Sequence, residues 1–260
     1  FTFLLLFQQL CNHCGPLLVV PEGTLRESSE VSVYIGHIDI SVVEPASVFK
    51  AAEFVVSLFI QKFTLFFLAD SHEKFDGITS HGFDIGVIRL EKSINFKGAN
   101  QNVRCVCNPK PMSTVIPEEC WVIGWGAMNQ KGYPVTKLRE VKIPLRDHTY
   151  CEKTFKEIKK DDPIATYDAS FLCAGYDEGG KDACQVVFVD LRCKLQAHFQ
   201  FSLSLGDSGG PLLCAISTGP LIYALTGLVS FGEGCAEGNH PGYYTKVYHY
   251  LEWITEKTGC

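Results

Sequence analysis

Gly206-Asp207-Ser208-Gly209-Gly210-Pro211 sets a serine among glycines, with an acid before it and a proline closing the run. Glycine enters dihedral regions that a side chain closes to other residues, so the backbone can fold tightly around a hydroxyl. Tight turning also aims successive backbone N–H groups into one small volume, the geometry that holds a developing oxyanion. Asp, Ser and Gly are ordinary turn residues too, and a surface turn is the plain alternative for a bare Gly-Asp-Ser-Gly. The hexapeptide is more specific than that, because Leu212-Leu213 runs on from it as a strand.

Working outward, the 260 residues suffice for one large domain or two small ones, and 46% hydrophobic residues allow a substantial core. Short Val/Ile/Leu/Tyr runs between 23 glycines and 12 prolines point to strands and turns. The net charge is −6 with scattered Lys and Arg, which argues against nucleic acid or an anionic membrane as partner. The apolar run 51–69 has about the length of a membrane span, but Glu53, Gln61 and Lys62 interrupt it. Phe1-Thr2-Phe3-Leu4-Leu5-Leu6-Phe7 is apolar without the basic region or small-residue cleavage site of a secretion signal.

Of the 12 cysteines, only Cys11/Cys14 and Cys105/Cys107 are close pairs, and neither is followed by a second pair at zinc-ribbon spacing. His13 inside the first pair keeps a metal reading open there. Wide scatter over a strand-rich chain fits disulfides in an oxidising compartment better.

Further stretches bear on the chemistry. Asp84 enters an apolar strand in Phe83-Asp84-Ile85-Gly86-Val87-Ile88-Arg89-Leu90, and a buried carboxylate needs a partner because leaving it unpaired is costly. His13 stands in Cys11-Asn12-His13-Cys14-Gly15, ahead of both the acid and the serine. Cys120-Trp121-Val122-Ile123-Gly124-Trp125-Gly126 precedes a strand over 138–145, and Phe171-Leu172-Cys173-Ala174-Gly175 follows it. Lys181-Asp182-Ala183-Cys184-Gln185, Val229-Ser230-Phe231-Gly232 and Pro241-Gly242-Tyr243-Tyr244-Thr245 complete the set, and a short helix is expected over 248–256.

Together these motifs resemble the trypsin-like serine proteases, over most of 84–260 with high specificity and over 10–83 loosely. The resemblance implies an all-β fold of two six-stranded antiparallel barrels, the first incomplete, with the cleft between them and a short C-terminal helix. One catalytic domain would span 1–260, as an N-terminal barrel over 1–110 and a C-terminal barrel over 111–260. The triad would be His13, Asp84 and Ser208, with the backbone N–H groups of Gly206 and Ser208 as oxyanion hole. Asp182 would sit at the base of the primary pocket and favour Arg or Lys, with Gly232 and Gly242 as its wall glycines, and Ser230 to Gly232 would pair with substrate backbone as a strand. Asp207 would be the structural acid that receives a mature amino terminus. Disulfides 120–214, 151–173 and 184–235 are implied, as are extracellular secretion, protein substrates and protein inhibitors. No cofactor or metal is expected, since His37 stands near where calcium-binding members have an acid.

The sequence also departs from the family. It contains no Ile-Val-Gly-Gly segment to pair with Asp207. Val186–Leu205 stands between Gln185 and Gly206, which adjoin in ordinary members, and roughly Val55–Asp70 lengthens the gap from His13 to Asp84 to 71 positions. Phe1–Phe7, Leu58–Leu68 and Phe199–Leu205 share a Phe/Leu/Ser-rich composition, as translated pyrimidine-rich intron sequence would. A retained-intron origin predicts a transcript that lacks them; the rival reading, genuine lineage-specific surface loops, predicts one that holds them in frame. The alternative to an active protease is an inactive homologue that binds other proteins, or a mis-spliced translation. A mobile Gly206 region and poor activity are expected of the chain as written.

Overall fold

The computed structural model describes residues 17–20, 32–42, 48–54, 72–90, 94, 96–97, 103, 106–107, 109, 120–126, 135–179, 187–188, 203–204, 207–216, 222–233 and 238–258. Twelve strands and two α-helices lie among them. The first sheet takes β1 (Leu17–Val20), β2 (Ser32–Tyr34), β3 (Val48–Phe54) and β4 (Gly86–Leu90), in the order β1-β4-β3-β2. Its pairings are antiparallel, with Leu17 opposite Arg89 and Val20 opposite Gly86. Among the described residues this barrel has four strands, fewer than six, in line with the incomplete first barrel expected from the sequence.

The second sheet is complete. It orders β6 (Arg139–Ile143), β5 (Cys120–Gly124), β10 (Pro211–Ala215), β11 (Tyr223–Phe231), β12 (Gly242–Lys246) and β7 (Phe171–Ala174) side by side. Its two edges meet: Leu145 bridges Ala174, Arg146 N donates to Cys173 O and Gly175 N donates to Pro144 O. Closure satisfies the edge groups that would otherwise be open to pairing with another chain. Disulfides Cys120–Cys214 and Cys151–Cys173 are formed, as expected. Cys184 and Cys235 lie outside the described residues.

Sequence analysis missed α1 (His148–Ile158), whose signals are local. Asp147 caps it, accepting from Tyr150 N at 2.9 Å. Cys151, Thr154 and Phe155 are its buried residues, three to four positions apart as one helix face requires. Phe155 packs into an aromatic cluster in which Phe231 and Tyr243 stack at 4.9 Å.

At the C-terminus a 3₁₀ turn (Val247–Tyr250) leads into α2 (Leu251–Thr258), which extends the predicted helix by two residues. Trp253 and Ile254 pack with Ile85, Val87, Leu225 and Leu228. That cluster joins the Asp84 segment to β11. The 38–40 segment adds backbone bonds to 136–138. No helix among the described residues is long and apolar enough to cross a membrane. The interrupted run 51–69 begins in β3, and residues 55–69 lie outside the described set.

Candidate active site

Ser208 sits in a turn that only glycine neighbours permit. Gly210 N donates to Asp207 O at 2.7 Å, and Gly209 adopts φ +82°. A Cβ on Gly210 would stand 2.7 Å from Asp207 O and 3.0 Å from Ile123 O. Two bonds lace the turn to β11: Gly209 N to Val229 O and Val229 N to Gly210 O, both 2.9 Å. Ser208 itself is half-buried. Gly206 lies outside the described residues.

Asp207 points into the Gly124-Trp125-Gly126 bend. Its Oδ1 accepts from Gly126 N at 2.7 Å. A Cβ on Gly124 would lie 1.9 Å from that oxygen, and one on Gly126 2.6 Å from both Cγ and Oδ1. The two glycines therefore make room for a carboxylate, and the carboxylate sets the turn that carries Ser208.

Asp84 is brought to the same place from the other barrel. Gly82 (φ +85°) and Phe83 (φ +60°) turn the chain sharply before it. Left-handed backbone is unfavourable at a phenylalanine, and here Phe83 N is held by a 2.9 Å bond to Tyr250 Oη. Asp84 is 1% exposed. Its Oδ2 accepts from Ser230 Oγ at 2.5 Å, and its backbone oxygen accepts from Thr245 Oγ1 at 2.8 Å. The Ser230 bond is charge-assisted and offsets part of the desolvation of the buried carboxylate, while the Thr245 bond fixes the backbone. Ser230 follows Val229, so Asp84 and the Ser208 turn are fastened to adjacent residues of β11. Sequence analysis assigned Ser230 to substrate binding alone; its bond to Asp84 joins residues 146 positions apart and leaves no local signal.

Gly232 and Gly242 face one another where β11 and β12 diverge. A Cβ on Gly232 would meet Gly242 Cα at 3.8 Å, and Phe231 pairs with Tyr243. His13 and Asp182 lie outside the described residues.

His37, His72 and His81 also lie ahead of Asp84 in the chain. His37 is half-buried. His72 stacks on Trp253 at 5.1 Å and lies tilted against Phe83 at 4.6 Å, and its Nδ1 accepts from Lys74 N. Burial among these rings lowers its pKa below the usual histidine value. His81 lies between Asp76 and Asp162. No metal-binding cluster of His, Cys, Asp and Glu occurs among the described residues.

The sequence profile of the family described as Trypsin matches residues 61–186 and 195–254. The chain belongs to the trypsin family of serine proteases. Over 188 residues it is 32% identical to coagulation factor XI of Bos taurus, covering 72% of this chain and 25% of that protein. Over 185 residues it is 31% identical to serine proteinase stubble of Drosophila melanogaster, covering 71% of this chain and 20% of that one. The trypsin-family stretch thus equals a quarter or less of these relatives' length. Its profile match breaks at 187–194, within the stretch read as an insertion. There β8 (Val187–Phe188) pairs antiparallel with β9 (Leu203–Ser204). The two ends of the insertion are therefore held one strand spacing apart, about 4.8 Å.

Proposed function

We propose that this chain is the catalytic domain of a secreted serine endopeptidase that cleaves after Arg or Lys. The observation that supports this most directly is the convergence on β11. The Ser208 turn is bonded to Val229, and buried Asp84 is bonded to Ser230 next to it. A hydroxyl in a glycine-locked turn and a buried, oriented carboxylate are the two ends of a relay that needs one imidazole between them.

In this reading His13 supplies the imidazole. Ser208 Oγ attacks the scissile carbonyl carbon while His13 takes the hydroxyl proton. Asp84 holds the imidazole tautomer and stabilises the imidazolium. The N–H groups of Gly206 and Ser208 bind the oxyanion, each contributing about 3–4 kcal/mol to the barrier. His13 then returns the proton to the leaving amine as the carbon–nitrogen bond breaks, and water completes hydrolysis by the same route.

Asp182 gives the pocket its preference for a cationic side chain, with Gly232 and Gly242 leaving room for its length. Two formed disulfides fit an oxidising, extracellular setting. The pairing of β8 with β9 brings Val187 opposite Ser204, which supports a trypsin-like path for the chain on either side of the insertion.

Labelling with a fluorophosphonate probe tests the reading, using the chain as given, Ser208→Ala and a form lacking 186–205. Labelling that disappears in Ser208→Ala is expected, followed by turnover of Arg and Lys substrates over neutral ones. Labelling only after deletion would assign the block to the insertion. Silence in both forms would overturn the catalytic reading for this chain and leave the inactive homologue.

A further inference from the structure

His81 ends the 3₁₀ turn Thr79–His81, three residues before Asp84. Both of its ring nitrogens face carboxylates. Nδ1 lies 2.6 Å from Asp76 Oδ2, and Nε2 lies 3.1 Å from Asp162 Oδ2. The side chain is 9% exposed. A neutral imidazole has one N–H and one lone pair, so it can donate to only one of these carboxylates. The other would face the lone pair with no proton between them. Only the doubly protonated ring donates in both directions, and the second proton is therefore part of the connection.

The two carboxylates come from different regions of the chain. Asp76 shares the His81 loop and accepts from Ile78 N at 3.0 Å. Asp162 belongs to the loop after α1, in the second barrel, and its Oδ1 accepts from Ile164 N and Ala165 N. Backbone donors thus orient each carboxylate and leave an oxygen for the ring. The neighbouring polar groups on the packed elements are engaged elsewhere. Asp168 Oδ1 accepts from Ser170 N and Oγ, and Tyr250 Oη accepts from Phe83 N. The charged groups bonded to the ring are therefore Asp76 from its own segment and Asp162 from across the molecule.

Between this clamp and Asp84 lie only Gly82 and Phe83, both in left-handed backbone. Gly82 is pressed so closely on the β7 approach that a Cβ there would meet Ser170 Oγ at 3.3 Å. The 79–84 segment is short and tightly turned, so a hold at His81 constrains where Asp84 can lie.

We propose that Asp76, His81 and Asp162 form a proton-dependent latch between the two barrels, with His81 a positioning residue for Asp84. The latch itself stands on the geometry above; only its consequence for turnover rests on the catalytic reading. The bond to Asp76 first, and that to Asp162 after it, hold the His81 pKa above its usual value. The latch is complete below the ordinary histidine pKa and opens as pH rises through the raised one. At the acid end it opens as Asp76 and Asp162 protonate, each held below the usual carboxylate range.

The test uses the full chain, labelled with ¹⁵N-histidine, and the variant Asp162→Asn, which keeps an acceptor for the 164 and 165 amides. Ring NMR of the parent should show both N–H protons and a titration point above the ordinary value, shifted down in Asp162→Asn. The unfolding-midpoint difference between the two proteins should be full at mildly acidic pH, above the carboxylate range and below the ordinary histidine value, and vanish above the parent's titration point. In His81→Gln, adding Asp162→Asn should cause no pH-dependent difference. An ordinary or lowered titration point in the parent, or a pH-independent penalty for Asp162→Asn, would overturn the latch. If Asp162→Asn does not fold, the parent's titration point and His81→Gln decide. Probe labelling of Ser208 should lose its alkaline limb at the same titration point, and that limb should move in Asp162→Asn. Labelling with a limb that stays put in the variant would overturn the positioning role. Silence of the probe would count against the catalytic reading, while titration and unfolding still decide the latch.

Discussion

Gly124→Ala places a methyl group where the Asp207 carboxylate now lies. The new Cβ would stand 1.9 Å from Oδ1 and 2.8 Å from Cγ. Restoring an ordinary contact of 3.4 Å requires a displacement of about 1.5 Å. Asp207 must supply most of it, because Gly124 is held in β5 by its pairing with Arg139. The move breaks the 2.7 Å bond from Gly126 N, a charge-assisted contact worth about 1.5–3 kcal/mol. Overpacking adds about 1–3 kcal/mol. The sum, about 2.5–6 kcal/mol, is a large part of a typical domain stability of about 5–15 kcal/mol. At a urea slope near 3 kcal/mol/M the midpoint should fall by about 1–2 M. Because Asp207 O also closes the Ser208 turn, probe labelling should slow by about a hundredfold, the usual cost of a 1 Å misplacement. Gly232→Ala is the control, since its Cβ meets Gly242 at an ordinary 3.8 Å; its midpoint should not move. An unchanged midpoint in Gly124→Ala, with labelling at the parent rate, would refute the claim that these glycines exist to seat Asp207.

Two further outcomes are expected. Ser230→Ala removes the hydroxyl that donates to a carboxylate 1% exposed, and should cost about 2–3 kcal/mol in chemical denaturation; a loss below about half a kcal/mol would mean that Asp84 does not depend on that bond. His72 is held below its usual pKa of 6.5 by burial, so its contribution to stability is complete above that value and is lost as pH falls through it toward the lower folded value. A denaturation series on His72→Phe against the parent should show a difference that varies over that acid window; a difference constant across it would mean that His72 does not titrate on unfolding.

Much of the fold was legible because strand sequences declare themselves locally. Cys120–Gly124, Pro211–Ala215 and Gly242–Lys246 are apolar runs bounded by glycine or proline, and each forms a strand near its expected bounds. The α1 helix was not read, although the Asp147 cap and the spacing of Cys151, Thr154 and Phe155 are local signals, because its polar majority masked it. The Ser208 turn could be read from its glycines. The bond between Ser230 and Asp84 could not, and neither could the joining of His81 to Asp162, 81 positions away.

The sequence alone determined the family, the order of acid and serine along the chain, and the turn chemistry around Ser208. The family is carried by the resemblance of short motifs and the turn by dihedral freedom, both of which lie within a few residues. Tertiary structure decided which groups meet: Asp207 with the Gly124–Gly126 bend, Asp84 with Ser230, His81 with a carboxylate from the other barrel. Each of these contacts follows from barrel closure and strand register, which arise only when distant strands pair. A side chain's partner is therefore set by where the barrels bring it, and a one-dimensional reading has no term for that.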